Sequence, residues 1–322
     1  MQAIGNLFNI VLFVTMAGSL FTLVLLFAKK VLHLVLPLWF GVLGTAFFLI
    51  PFIVPQVQLV PPEKTLWIYG YKIACMIWAS GAVLFLLYYS LRGLLAYRAI
   101  KKYPACSDER VCRIYIECGA AIRMKQMPEL RFGPLKDPAC VVTLLHPTVI
   151  LNEDIVRQLT DSELQIVLSH ELTHIKRKHH LFQRIYDLAC CLNWFNPFVW
   201  IAKNDFALSC EMDCDAYTLQ ILTEKTSSVD YATAMLRLME LSAGSGKAAF
   251  GKIDALGFLL VKQRFSYILN KPSKERYIVT MAVLTLFAAF VIAFSAMVSR
   301  TYFYPYPALM TPPEYRDSYT ER

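Results

Sequence analysis

Leu159-Thr160-Asp161-Ser162-Glu163-Leu164-Gln165-Ile166-Val167-Leu168-Ser169-His170-Glu171-Leu172-Thr173-His174-Ile175-Lys176-Arg177-Lys178 is the stretch on which the rest of the chain turns. Thr160 followed by Glu163 is a capping box, and Asp161 adds negative charge at the positive end of a helix. Leu164, Val167, Leu168 and Leu172 recur at helical spacing, while Lys176, Arg177 and Lys178 complement the dipole at the far end. His170 and His174 therefore share one face of an amphipathic helix, where two imidazoles can grip one Zn²⁺. Glu171 lies beside them, placed to take a proton from a water that the metal acidifies. Two histidines satisfied in an ordinary core are the competing reading.

A catalytic zinc usually takes three protein groups and keeps one position for water. Ser209-Cys210-Glu211-Met212-Asp213-Cys214-Asp215-Ala216 offers Glu211 as the candidate third ligand. Asp215 falls one helical turn later, so one carboxylate can bind metal while the other hydrogen-bonds a ligand imidazole from behind. Asp213 lies about 160° from Asp215 around a helix and is expected in solvent. Cys210 and Cys214 share the same spacing and could make a closed thiolate site, although Glu171 would then have no task. Small buried residues are their simpler reading.

The composition is that of a membrane protein: 57% of the 322 residues are apolar and mean hydropathy is +0.45. Four stretches are long enough to span a bilayer: Phe8–Ala28, Leu32–Val54 (with Pro37 and Pro51 inside), Leu66–Leu91 and Tyr277–Ser299. Lys72 is the one charge inside them, close enough to an end to snorkel. Lys29 and Lys30, then Arg92, Arg98, Lys101 and Lys102, then Lys271, Lys274 and Arg276 mark the cytoplasmic ends. Both termini are thus expected outside and residues 92–276 inside. The first span lacks a small-residue cleavage site after it and reads as a retained helix. The net charge of +8 suits anionic headgroups and requires no nucleic acid as partner. Eight of the nine cysteines fall within 92–276 and are expected as free thiols in a reducing compartment.

Leu181–Ala202 could pass for a fifth span, but Arg184 and Asp187 interrupt it and Asn193 and Asn196-Pro197 break it. It reads as two helix pieces lying against the bilayer or the other spans. Within the cytoplasmic part, Asp108–Met124 reads as a helix burying Val111, Ile114, Tyr115, Cys118 and Ile122. Two extended runs follow, Glu129–Gly133 and Cys140–Leu151, and Pro147 confines the second to an edge or bulge. Such an edge beside the zinc helix could take an extended peptide by strand addition; a plain sheet edge explains it equally. His146 reads as structural. Tyr231–Leu241 and Leu256–Asn270 are helical, and Ser242–Gly246 is a flexible Ser/Gly stretch.

Taken together, His170-Glu171-Leu172-Thr173-His174, Asn193-Trp194-Phe195-Asn196-Pro197 and Glu211-Met212-Asp213-Cys214-Asp215 resemble the membrane metallopeptidase family typified by the BlaR and MecR β-lactam sensor-transducers. The resemblance covers most of the chain. It implies a mainly α membrane protein of four transmembrane helices, with a cytoplasmic α+β gluzincin-like zinc protease domain between the third and fourth. It also implies Glu211 as third ligand and Glu171 as general base. Two departures stand out. Family members often carry an acid where this chain has His179, followed by His180. The sensor-transducers also continue after the fourth span into a penicillin-binding domain, whereas here only residues 300–322 follow, without a Ser-x-x-Lys, so β-lactam capture by this chain is not expected.

The expected function is an integral-membrane zinc endopeptidase cutting a cytoplasmic protein, with a transcriptional repressor as candidate substrate, or itself. The bilayer and a second copy of the chain are its other candidate partners. The self-cleavage segment would be Ser242–Lys252, where Ala249 and Phe250 offer a small and a large side chain to a pocket. An ordinary solvated linker is the plain reading of that segment. Two other functions compete. A non-catalytic transducer would have no need of Glu171. A prenyl-processing or heat-shock type of membrane protease shares the zinc logic, but Asn193–Pro197 and the cysteine before Asp215 favour the sensor-like family.

Overall fold

The computed structural model describes residues 15–16, 18–27, 38–49, 65–142, 147–222, 226–243 and 255–269, with isolated helical positions at 278, 281–282, 285–286 and 289. Its elements in order are α1 (Gly18–Phe27), α2 (Leu38–Leu49), α3 (Thr65–Ile100), α4 (Glu109–Ile122), β1 (Glu129–Phe132), β2 (Ala139–Val142), β3 (Thr148–Leu151), α5 (Glu153–Val156), α6 (Asp161–Lys176), α7 (His179–Leu192), α8 (Pro197–Leu222), α9 (Ser228–Ala243) and α10 (Ala255–Leu269).

Among the described residues α3 alone is long and apolar enough to cross a bilayer, over Lys72–Ile100, and only 17% of its most apolar stretch is buried. Ile73, Ile77, Leu84, Leu87, Leu91 and Leu95 are all exposed, which water would penalise and lipid would not. The helix outruns the expected end at Leu91 because a charge does not stop a helix. Arg92 and Arg98 prolong it until the turn before Pro104. Within the expected first and second spans the described helices are α1 and α2, each shorter than a bilayer crossing. The fourth, apart from its isolated helical positions, and the tail 300–322 lie outside the described residues.

The domain after α3 is built around α6. Asp108 caps α4 by accepting from the Val111 N–H, and α4 buries the five residues expected. α4, the sheet and α6 close over one core containing Val111, Cys118, Val149, Leu151, Leu164, Leu168 and Leu172. The capping box of α6 is present: the Thr160 N–H donates to Glu163 at 2.8 Å, and the Glu163 N–H donates to the Thr160 hydroxyl at 3.3 Å.

The sheet corrects one expectation. Cys140–Leu151 is two strands, β2 and β3, pairing antiparallel, and β1 adds to β3 in parallel to give the order β1-β3-β2. Pro147 stands just ahead of β3, where its missing N–H removes no ladder bond, so β3 is the central strand and fully buried. The edge is β2. His146 lies outside the described residues.

Leu181–Ala202 divides as expected, into α7 and the start of α8, with Pro197 as first helical residue. The break is a fastening point. Buried Asn193 donates to the Ala189 carbonyl at 3.0 Å and accepts from Thr15 at 2.8 Å. Asn196 donates to Ser19 at 3.0 Å, while Trp78 donates to the Leu192 carbonyl and Trp194 to the Trp78 carbonyl. These bonds tie α7 and α8 to the apolar helices of the N-terminal part. The other end of α8 carries the site.

Candidate metal centre

α6 and α8 pack together, so the histidine face of one meets the acidic face of the other. His170 Nε2 lies 3.2 Å from His174 Nε2 and 3.3 Å from Glu211 Oε2, and His174 Nε2 lies 3.4 Å from Glu211 Oε1. Zinc bonds of about 2.0–2.1 Å in a tetrahedron put ligand atoms about 3.3 Å apart, so this triangle has the size a zinc ion needs. His170, His174 and Cys214 also each bring one ligand atom within 4.8 Å of the others. The two sets compete for the third position. Glu211 fits better, because its oxygens sit at bonding spacing and its carboxyl is held well below the usual range. Burial opposes that shift, but the hydrogen bond from His170 and the charge of Arg264 outweigh it. The Cys214 thiol is pushed well up by burial and by the surrounding carboxylates, whereas a metal needs the thiolate. Cys210 is buried in the core between α2, α7 and α8.

Asp215 stands where expected, its Oδ1 3.2 Å from His170 Nδ1. It is wholly buried, and it also accepts from the Tyr231 hydroxyl at 3.0 Å. Arg264 of α10 grips it with two donors, Nε to Oδ2 and Nη2 to Oδ1, both at 2.8 Å, and turns Nη1 to Glu211 Oε2 at 3.1 Å. Burial works against the Asp215 carboxylate, yet Arg264 and His170 hold its pKa at about 2. Burial likewise disfavours an imidazolium at His170, but the adjacent Asp215 and Glu211 carboxylates prevail and raise its pKa to about 10. His174 goes the other way, to about 3, through burial and the neighbouring His170 charge. Glu171 is pushed up to about 7 by burial, with His170 and Arg264 pulling down and Glu211 repelling.

These groups open into a cleft of about 450 Å³ that also takes in Ala139, Cys140 and Val141 of β2, and Met235, Leu238 and Met239 of α9. Burial holds the Cys140 thiol at about 12, so it is no nucleophile. Ser242, the first residue of the expected self-cleavage segment, lines the same cleft at the end of α9. Ala249 and Phe250 lie outside the described residues.

Asp213 is not in solvent. Its Oδ2 lies 3.3 Å from His179 Nε2 and 3.5 Å from Arg177 Nε, and its side chain is only 25% exposed. The expectation considered α8 alone, whereas the tight turn from α6 to α7 lays His179 along that flank. Arg264, Tyr231 and His179 are the members that sequence reasoning missed. Arg264 carried no signal, since it stands beside Lys262 and Gln263 in the run Phe258–Leu269 and reads as one more polar position of a helix. For His179 the signal was the histidine standing where the resemblance led to an acid being expected.

A His-x-x-x-His helix, a carboxylate from a second helix and a half-buried glutamate in one cleft are the equipment of a metallopeptidase. The chain belongs to the BlaR1 peptidase M56 family, whose profile matches residues 58–268. It is 25% identical over 194 residues to the regulatory protein BlaR1 of Bacillus licheniformis, covering 60% of this chain and 32% of that protein. It is 25% identical over 218 residues to the methicillin resistance mecR1 protein of Staphylococcus aureus strain Mu50, covering 66% of this chain and 37% of that protein. A shorter stretch of 54 residues is 33% identical to the uncharacterized protein MJ1213 of Methanocaldococcus jannaschii, covering 16% of this chain. The chain thus spans well under half the length of the first two relatives. The resemblance expected from its motifs is borne out.

Proposed function

We propose that this chain is a membrane-embedded zinc endopeptidase that cuts a protein at the cytoplasmic face as a step in signalling. The observation that carries the reading is the triangle of His170, His174 and Glu211 beside Glu171, in a cleft bordered by an edge strand. A zinc ion held there would supply a Lewis acid for a peptide carbonyl and lower the pKa of a water toward about 7. Glu171 takes the proton and returns it to the leaving amine, a task suited to a carboxyl that burial raises to about 7. Asp215 holds His170 through Nδ1, which leaves Nε2 free to bind, and Arg264 keeps Asp215 and Glu211 ionised and in place. Among the described residues the outer edge of β2 is unpaired and borders the cleft, so it can pair with an extended substrate; main-chain bonds would give affinity and the α9 methionines a pliable wall.

A cytoplasmic protein, with a repressor as the candidate, is the substrate this arrangement suits. Self-cleavage is the second reading: Ser242, near the end of α9, lines the same cleft as Glu171. Mass spectrometry of the membrane-purified chain and of Glu171→Gln tests both, with a candidate repressor added. Fragments of chain or repressor that appear with wild type and vanish in Glu171→Gln are expected. Cleavage that persists in Glu171→Gln would remove the proposal.

A further inference from the structure

The two metal-facing histidines are backed differently. Behind His170 stands the Asp215 carboxylate; behind His174 stands another imidazole. α6 ends at Lys176, and Lys178 takes a left-handed conformation with φ 58°, which reverses the chain and lays the first residue of α7 on the last turn of α6. That residue is His179, wholly buried. Its ring meets His174 edge-on, centroids 5.1 Å apart, with Nδ1 facing Nδ1 at 3.2 Å. On the far side its Nε2 lies 3.3 Å from Asp213 Oδ2, close enough for a charge contact though not aligned as a hydrogen bond, and Arg177 Nε faces the same oxygen at 3.5 Å. The Cys214 sulfur completes the surroundings, 3.4 Å from His179 Nδ1.

We infer that His179 and Asp213 form a positioning relay that fixes the tautomer of His174 for metal binding. The inference rests on the reading that His174 binds through Nε2. A neutral imidazole with a lone pair at Nε2 carries its proton at Nδ1. His179 Nδ1 must then accept that proton's hydrogen bond, which places His179's own proton at Nε2, facing the Asp213 carboxylate. The His174–His179 contact then has one donor and one acceptor, and the His179 N–H turns its positive end to the Asp213 carboxylate. In the reversed arrangement His179 donates from Nδ1, the His174 proton moves to Nε2 and blocks the metal, and a lone pair of His179 faces a carboxylate. The charge on Asp213 selects the first arrangement. Asp213 is thus a positioning residue two steps from the metal.

The test is zinc affinity of the full-length chain in detergent, by competition with a chelator, with a Co²⁺ absorption spectrum as a second readout of ligand geometry. His179→Leu removes the acceptor and should weaken binding about 10–100-fold, the usual effect of losing a group behind a ligand. His179→Asn keeps an acceptor near the Nδ1 position and should stay within a few-fold of wild type. That split separates the relay from a packing role, which both substitutions would disturb. Asp213→Leu, which leaves the His174 contact itself intact, should weaken binding in the same direction and serves if His179→Leu does not fold. If His174→Ala loses zinc while His179→Leu, or Asp213→Leu in its place, binds like wild type, the relay is wrong and the metal reading stands. If His174→Ala binds like wild type, the metal reading falls and takes the relay with it.

Discussion

Replacing Arg264 by methionine keeps most of the side chain's apolar length but strands the Asp215 carboxylate. That group is fully shielded, and the guanidinium meets it at 2.8 Å through two donors, with a third contact to Glu211 at 3.1 Å. Removing one partner of a buried pair costs about 3–5 kcal/mol, because the remaining charge stays in a poor solvent. The lower end applies here: the Arg264 side chain is 20% exposed, so some water can follow, and Tyr231 and His170 still face Asp215. A loss of about 3 kcal/mol corresponds to more than a hundredfold in the folding equilibrium. In a domain of this size it lowers the melting temperature by roughly 6–12 °C. The assay is thermal unfolding of the purified chain in one detergent at one scan rate, because membrane proteins seldom unfold reversibly. Adding Asp215→Asn to Arg264→Met removes the stranded charge and should recover much of the loss. The reasoning is refuted if Arg264→Met melts with wild type, or if the double variant falls by the sum of the two single losses.

Three further outcomes follow from the same structure. Glu163 is held below its ordinary value of 4.5; burial opposes this, but the Thr160 N–H and hydroxyl and Arg237 outweigh it. Its stabilisation is therefore present above that pH and lost as the pH falls through the lowered folded value, so Glu163→Gln should flatten the acid limb of a melting-temperature profile below about pH 4.5. Turnover should rise with pH as Glu171 deprotonates, and a bound dication should move that midpoint below about 7; a midpoint above it would count against Glu171 as the base. The orientation expected from the flanking charges, termini outside, predicts that an impermeant thiol reagent on intact cells labels Ser318→Cys and spares Ser107→Cys; labelling at 107 would overturn it.

The helical framework was legible because it rests on local chemistry. The Thr160–Glu163 box, the Asp108 cap and the Asn193–Pro197 break each carry their own signal, and each element starts or stops where those residues direct. What the sequence could not give is what distant elements bring together. Cys140–Leu151 read as one strand, since a hairpin whose halves are both apolar keeps no alternation that marks the turn. His170, His174 and Glu211 could be paired in advance by chemistry, because a metal needs three donors. Arg264 could not: it lies 49 positions from Asp215, and nothing in α10 signals that its guanidinium faces two carboxylates of α8. Asp213 was misplaced for the same reason, since its partner arrives through the left-handed turn at Lys178.

The third position of the metal triangle is the point on which the account stands. Metal content of the purified, zinc-equilibrated chain should be measured for wild type, Glu211→Ala and Cys214→Ser side by side. One zinc per chain in wild type and in Cys214→Ser, with loss in Glu211→Ala, is the predicted result. Retention by Glu211→Ala together with loss by Cys214→Ser would contradict the account, and would turn the centre into a thiolate site in which Glu171 has no water to activate.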